Sequence, residues 1–155
     1  MELYQITDEG TLFISPSIDD WNPISQLTID AVFNLDCTLD QNIPEVMNDT
    51  LYIFFPFEDQ HLPDLKKLHD LARLGANLIN SGHQVLSHCG MGHNRSALLA
   101  GLVLTYLGLS GKEAVRLLRA KRQGALYNKE FAAYLESVPA NGIPLNVQRP
   151  ATMFQ

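Results

Sequence analysis

The segment from residue 84 to residue 107 constrains the fold of this chain more than any other. A short segment that contains the apolar residues Val85 and Leu86 is followed by Cys89, by the glycines Gly90 and Gly92, and by a long apolar stretch that begins after Arg95. Short apolar runs are typical of buried strands, and longer apolar stretches are typical of buried helices. The pattern predicts a strand near 84–88, a tight loop at 89–94 and a buried helix near 95–107.

The predicted loop has the composition of an anion-binding loop. Five residues separate Cys89 from Arg95, which is enough to curl the backbone so that successive N–H groups aim at one centre. Gly90 and Gly92 are expected to supply positive φ angles and close approach of the backbone. The N-terminus of the following helix adds a favourable dipole. The sequence therefore predicts a phosphate site formed by Gly90, Met91, Gly92, His93, Asn94 and Arg95.

The side chains at the two ends of the loop suggest chemistry on a bound phosphate. Arg95 offers a planar fork for two phosphoryl oxygens, which a lysine cannot reproduce. Cys89 would face a helix N-terminus, several amides and a guanidinium, and such surroundings favour the nucleophilic thiolate. Ser96 is expected to donate a hydrogen bond to that sulfur. The alternative is a buried, inert cysteine that precedes a core helix.

The run Val85-Leu86-Ser87-His88-Cys89-Gly90-Met91-Gly92-His93-Asn94-Arg95-Ser96 resembles the strand, signature loop and helix of the dual-specificity branch of the protein tyrosine phosphatases. In that family the loop reads His-Cys-x2-Gly-x2-Arg-Ser/Thr. Residues 55–63 are similar to the family's mobile acid loop, and Asp59 matches its acid. Residues 12–16 and 29–35 resemble the opening strands, and residues 122–131 resemble the closing helices. Roughly residues 10–137 are covered.

The resemblance implies an α/β fold with a central, mostly parallel twisted sheet of about five strands flanked by helices. One domain is expected over residues 1–155, with 139–155 as a C-terminal extension. The implied reaction is phosphomonoester hydrolysis through a phosphocysteine on Cys89, with no cofactor and no metal. The resemblance also implies that His88 orders the loop by hydrogen bonding to the backbone.

Local patterns place the elements independently. Apolar and β-branched runs predict strands near 3–6, 11–15, 31–35, 51–55 and 84–88. Helices are predicted near 22–28, 62–80, 95–107, 111–122 and 128–137. A strand, a long helix and a second strand form a crossover that makes the sheet largely parallel. Ligands of such sheets bind beyond the carboxyl ends of the strands, where Asp59 and Cys89 fall.

Phosphate transfer gives Asp59 a role on chemical grounds. A neutral carboxylic acid must protonate the departing oxygen, and as a carboxylate it must then deprotonate the attacking water. Asp59 is preferred as this acid because three residues separate it from Pro63, as in Asp-x-x-x-Pro, and because it follows an apolar strand. Glu58 is the alternative. Asp64 is expected to favour the start of a helix instead.

Composition limits the class and the partners of the protein. With 155 residues, 46% hydrophobic and 18% charged, the chain is expected to form one globular domain. The N-terminus lacks a basic signal start and no run approaches eighteen apolar residues, so a cytoplasmic protein is expected. The net charge of −6 argues against nucleic acid or membrane as the main partner. A phosphorylated protein or a small phosphomonoester is the expected partner. A basic run on one predicted helix is interpreted as a solvated face, with Arg122 as the one member that could approach substrate. The run consists of Lys112, Arg116, Arg119, Lys121 and Arg122.

Other titratable residues receive smaller roles. His93 is expected to point outward from the loop, where it could contact substrate, whereas His61, His69 and His83 are predicted to lie on the surface. Cys37 follows the strand at 31–35, which the resemblance places beside the strand at 84–88. It is a candidate redox partner of Cys89, and the alternative is an inert thiol that is out of reach.

The sequence leaves two further functions open. One is hydrolysis of a non-protein substrate, namely a nucleotide, an RNA 5′ end or, less favoured, a phosphoinositide. Residues 90–94 contain no lysine or arginine to meet the extra phosphates of an inositide. The other is a phospho-residue binding module without turnover. Such a module could lose the nucleophile or the acid, whereas this chain has both.

Overall fold

The computed structural model describes residues 1–45, 47 and 49–142. Its strands are β1 (Tyr4–Gln5), β2 (Leu12–Ser15), β3 (Ala31–Asn34), β4 (Leu51–Phe54) and β5 (Val85–His88). Its helices are α1 (Asn22–Gln26), α2 (Leu65–Asn80), α3 (Arg95–Tyr106), α4 (Gly111–Lys121) and α5 (Lys129–Ser137). Every predicted strand and helix is confirmed, and no end differs by more than three residues.

The strands form one sheet in the order β1-β2-β5-β3-β4. Only β1 runs antiparallel to its neighbour, so the predicted, largely parallel sheet is confirmed. Ser15 and Asn34 both pair in register with His88, the last residue of the central strand. The carboxyl ends of β2, β3 and β5 therefore meet at one edge, the edge at which such sheets bind ligands.

Apolar side chains cover both faces of the sheet. Alternate residues of β2, β3 and β5 point to opposite faces, and Phe13, Val32 and Leu86 pack with α1 and its flanking loops. The opposite face packs against α3, whose residues 96–105 are all buried. A helix that is apolar on every side is typical of the centre of a core, and α2, α4 and α5 surround this one.

Capping residues fix where two of the helices begin. The side chain of Asp64 accepts a hydrogen bond from the Lys67 N–H at 3.1 Å at the start of α2. This confirms that Asp64 serves the helix start. Asn128 caps α5 by accepting from the N–H groups of Glu130 and Phe131.

The predicted surface location of His69 is wrong. His61 and His83 are exposed as predicted, but His69 retains only 4% of its exposure. Its ring nitrogens lie 2.6 Å from the Tyr106 hydroxyl and 2.7 Å from the Tyr134 hydroxyl. Burial and the nearby charge of Arg73 lower the pKa of His69, which is therefore neutral at physiological pH. The two hydroxyl groups satisfy the imidazole and make its burial acceptable.

Two other predictions concern the C-terminal extension and membrane-spanning segments. The predicted extension at 139–155 lies outside the described residues from position 143 onward. Among the helices that are described, none has the length and hydropathy needed to cross a membrane.

Candidate active site

The loop between β5 and α3 places a thiol against a buried hydroxyl group. Cys89 is the first residue after β5 and is 2% exposed. Its Sγ atom lies 3.4 Å from the Oγ atom of Ser96, which is fully buried in the first turn of α3. The predicted nucleophile and the hydroxyl expected to support it are therefore within hydrogen-bonding reach.

The two loop glycines differ in backbone conformation and in the space around them. Gly92 has a φ of 72°, and a Cβ atom there would lie 2.8 Å from the Pro16 nitrogen, so the close backbone approach requires glycine. Gly90 does not have a positive φ, and the prediction for it is wrong. A Cβ atom on Gly90 would instead meet the Arg95 guanidinium and the Asp36 carboxylate at 3.4–3.5 Å. These are ordinary van der Waals distances, so space alone does not require glycine at position 90.

One nitrogen of the Arg95 guanidinium group is bound by the protein, and another has no partner among the described residues. Its Nη1 donates to the Phe57 carbonyl at 2.9 Å and lies 3.3 Å from the Asp36 carboxylate. Its Nε is buried and has no protein partner within the described residues. Buried donors are rarely left unpaired, so a phosphoryl oxygen fits as the acceptor for Nε. This arrangement suits the bidentate grip predicted for Arg95.

Asp59 is held at the mouth of the loop by two asparagines. Its two carboxylate oxygens accept from Asn94 Nδ2 at 2.8 Å and from Asn128 Nδ2 at 2.9 Å. Asn94 Oδ1 in turn accepts from the Asn128 N–H at 2.9 Å. Glu58, the alternative acid, is exposed. The structure therefore brings Asp59 to the phosphate loop, and sequence reasoning missed the amides that hold it there.

His88 forms a buried pair with a carboxylate. Its Nε2 lies 2.7 Å from Asp40 Oδ2, which also accepts from the Tyr52 hydroxyl at 2.7 Å. Burial raises the pKa of Asp40, but the hydrogen bonds from His88 and Tyr52 and the charge of His88 outweigh it, so that pKa is lowered overall. Burial and the bond to Asp40 raise the pKa of Tyr52 to about 12. The other ring nitrogen, Nδ1, is buried and has no hydrogen-bond partner within the described residues, so the backbone bond that the resemblance implied for His88 is not formed there.

The outer side of the loop is braced by the segment that follows α4. The His93 carbonyl accepts from the Leu126 N–H at 2.9 Å. The half-buried imidazole ring of His93 packs against the Tyr127 ring, with 5.7 Å between the ring centroids. Burial and the charge of Arg122 lower the pKa of His93. Arg122 donates to the Gly92 and Met91 carbonyls, both at 3.4 Å. The interpretation of the basic run as a solvated face is therefore wrong for Arg122, which supports the loop.

Asp36 and Cys37, which follow β3, complete the mouth of the site. The exposed Cys37 has its Sγ atom 3.8 Å from Arg95 Nη1. It thus lies at the same sheet edge as Cys89, as predicted. Its neighbour Asp36, which sequence reasoning did not single out, lies between Arg95 and Ser17.

The comparison with protein families decides the classification. Residues 13–138 match the family model described as the dual specificity phosphatase catalytic domain. The chain belongs to this family. The predicted family, the dual-specificity branch of the protein tyrosine phosphatases, is confirmed.

Individual dual-specificity phosphatases and their relatives agree with this classification. The chain is similar to mouse protein tyrosine phosphatase type IVA 3, with 36% identity over 84 residues, which is 53% of this chain and 48% of the relative. The human protein of that name is 33% identical over 84 residues, again 53% of this chain and 48% of the relative. The matched region thus spans about half the length of these relatives.

Solved structures share the fold. Human DUSP28 superimposes with a TM-score of 0.72 and 20% identity over 86% of this chain and 90% of that one. PTPMT1 in complex with PI(5)P gives a TM-score of 0.73 and 15% identity over 86% and 92% of the two chains. At these identities the likeness concerns the fold alone, and it confirms the predicted dual-specificity phosphatase architecture.

Proposed function

We propose that this domain hydrolyses phosphotyrosine, and also phosphoserine or phosphothreonine, in proteins through a phosphocysteine on Cys89. The observation that supports this is the convergence of Cys89, Ser96, Arg95 and Asp59 on one loop at the carboxyl edge of the sheet. We further propose that residues 1–155 act as one domain. Because a nucleophilic thiol needs a reducing compartment, we place the protein in the cytoplasm.

In the first step the Cys89 thiolate attacks phosphorus in line. The S–P bond forms while the bond from phosphorus to the leaving oxygen breaks, and Asp59 gives its proton to that oxygen. The loop amides of residues 90–95 and the Arg95 guanidinium hold the three equatorial oxygens, on which charge is concentrated.

In the second step water attacks the phosphorus of the phosphocysteine. Asp59, now a carboxylate, takes a proton from this water, and the S–P bond breaks to release inorganic phosphate. The Ser96 hydroxyl, 3.4 Å from the sulfur, stabilises the departing thiolate. No bound group other than these side chains and the loop amides is needed for either step.

Side-by-side hydrolysis of four substrates tests the proposal. These are a phosphotyrosine peptide, a phosphothreonine peptide, a phosphatidylinositol phosphate and an RNA with a 5′ triphosphate. We expect the highest kcat/KM for the phosphotyrosine peptide. A higher value for RNA or lipid would replace the protein substrate by the non-protein alternative. Binding of phosphopeptide without turnover of any substrate would indicate a binding module.

Asp59→Asn is expected to slow hydrolysis of a phenyl or alkyl phosphate by ~10²–10⁴-fold because the leaving oxygen then departs without a proton. The loss should be much smaller for a nitrophenyl phosphate, whose leaving group needs no proton. The measurement is kcat for both substrates across pH, with Glu58→Gln as the matched control. Equal losses on both substrates, or the larger loss in the control, would reassign the acid.

Cys37→Ser is expected to impair recovery from oxidation. Peroxide converts the Cys89 thiolate to sulfenic acid with release of hydroxide, and the Cys37 thiol can condense with this sulfenic acid to a disulfide with release of water. A disulfide requires the two Cα atoms to come within ~7 Å. We propose to treat both proteins with peroxide and then with a thiol reductant. Equal recovery of activity would leave Cys37 as an inert thiol.

A further inference from the structure

We propose that Asp36 selects the substrate of this site. Its carboxylate favours phosphomonoesters with basic or neutral neighbours over those that carry a second anion beside the scissile phosphate. The inference rests on the proposed phosphatase function and names the substrate class of that same site.

The Asp36 carboxylate lies at the opening of the phosphate loop, beside Arg95. Asp36 Oδ1 lies 3.3 Å from Nη1 of Arg95, the guanidinium that would grip the phosphate. Both carboxylate oxygens also lie 3.5 Å from the position of a Cβ atom on Gly90, the first residue of the phosphate loop after the nucleophile. The side chain keeps 19% of its exposure. The charge therefore stands at the opening of the loop, where it is accessible to a bound substrate.

Hydrogen bonds fix the Asp36 carboxylate in place. Asp36 Oδ1 accepts from the Cys37 N–H at 2.8 Å, and the backbone N–H of Asp36 donates to Asn34 Oδ1 at 2.9 Å. The Ser17 hydroxyl lies 3.4 Å from Asp36 Oδ2. Asn34 itself is fully buried at the end of β3. Asp36 thus belongs to a turn anchored to the sheet and cannot swing away from an incoming anion without losing these bonds.

The charges around the phosphate loop decide how Asp36 acts on a second anion of the substrate. A bound phosphoryl dianion uses the positive charge of Arg95, and residues 90–94 supply no other cation. Arg122, the second guanidinium at the loop, is directed to the Met91 and Gly92 carbonyls and lies 4.3 Å from the centre of the Tyr4 ring. A second anion on the substrate beside Asp36 would therefore be repelled, whereas a lysine or arginine there would be attracted.

Coulomb's law sets the size of the effect. Two unit charges at ~7 Å in partly hydrated surroundings change an equilibrium about three- to tenfold. A basic residue beside the scissile phosphate should raise kcat/KM by roughly this factor, and an acidic residue there should lower it by the same factor. The two factors multiply when a basic and an acidic substrate are compared.

The test uses two phosphotyrosine peptides that differ only in having lysine or glutamate on both sides of the phosphotyrosine. For the wild type, we expect kcat/KM for the lysine peptide to exceed that for the glutamate peptide by about tenfold or more. Asp36→Asn should reduce this ratio about tenfold, since the amide keeps the acceptor for the Cys37 N–H but removes the charge. Asp8→Asn, which removes the same charge from the exposed turn between β1 and β2, should leave the ratio unchanged.

Salt dependence gives a second measurement that needs no variant. The lysine-to-glutamate ratio of the wild type should fall towards one as ionic strength rises, because exposed charges are screened. An unchanged ratio in Asp36→Asn would overturn the proposal. So would an equal loss of activity on both peptides, which would make Asp36 a residue that only orients Arg95. If the wild type cleaved neither peptide, the proposed function itself would be wrong.

Discussion

Cys89→Ser is expected to reduce kcat for phosphotyrosine hydrolysis to less than about one hundredth of the wild-type value. A serine hydroxyl at this position is not ionised and cannot form the thiophosphate bond. The loop amides and Arg95 are unchanged, so affinity for inorganic phosphate should be retained. Steady-state kinetics and phosphate titration by calorimetry measure the two properties separately.

Cys37→Ser serves as the matched control because it exchanges the other cysteine at the same sheet edge. It should retain turnover under reducing conditions. If Cys89→Ser kept more than about one hundredth of the activity, covalent catalysis by this thiol would be untenable. If it lost phosphate binding as well, the buried Cys89 would be needed to shape the loop.

Arg95→Lys is expected to reduce kcat/KM by about 10²–10³-fold although the charge is kept. A lysine cannot bind two phosphoryl oxygens with a planar fork. It would also lose the bond from Nη1 to the Phe57 carbonyl, which ties the arginine to the segment that carries Asp59. The measurement is kcat/KM for a phosphotyrosine peptide.

Arg73→Lys is the control for the same exchange elsewhere. Arg73 lies on α2, where it contacts the Tyr106 hydroxyl, and its exchange should change kcat/KM by less than about twofold. Retention of more than a tenth of the activity in Arg95→Lys would show that a point charge is sufficient, and the bidentate grip would have to be abandoned.

The fold was largely predictable because each element has a local signal. The segments at 51–54 and 85–88 are rich in apolar and β-branched or aromatic residues, which favour strands, and Asn80-Ser81-Gly82 ends α2 as predicted. The phosphate loop was predictable for a similar reason, since its Cys, Gly and Arg residues lie within seven positions. Information of this kind is contained in short segments and does not depend on the rest of the chain.

The interactions that sequence missed all join distant segments. His88 and Asp40 are 48 positions apart, and Asp59 and Asn128 are 69 positions apart. His69 lies inside the protein because hydroxyl groups from two other helices satisfy it. Asp36 is significant only because the turn after β3 brings it to Gly90. Side-chain pairs of this kind depend on how loops cross the sheet edge, and no local pattern indicates them.

Trapping of the covalent intermediate tests the central claim most directly. A radiolabelled phosphotyrosine peptide is mixed with the enzyme, the reaction is stopped with denaturant during turnover, and the digested protein is mapped. The proposed mechanism predicts label on the peptide that contains Cys89, and none in the Cys89→Ser variant. Steady release of phosphate with no label on the protein, or label on another residue, would contradict it.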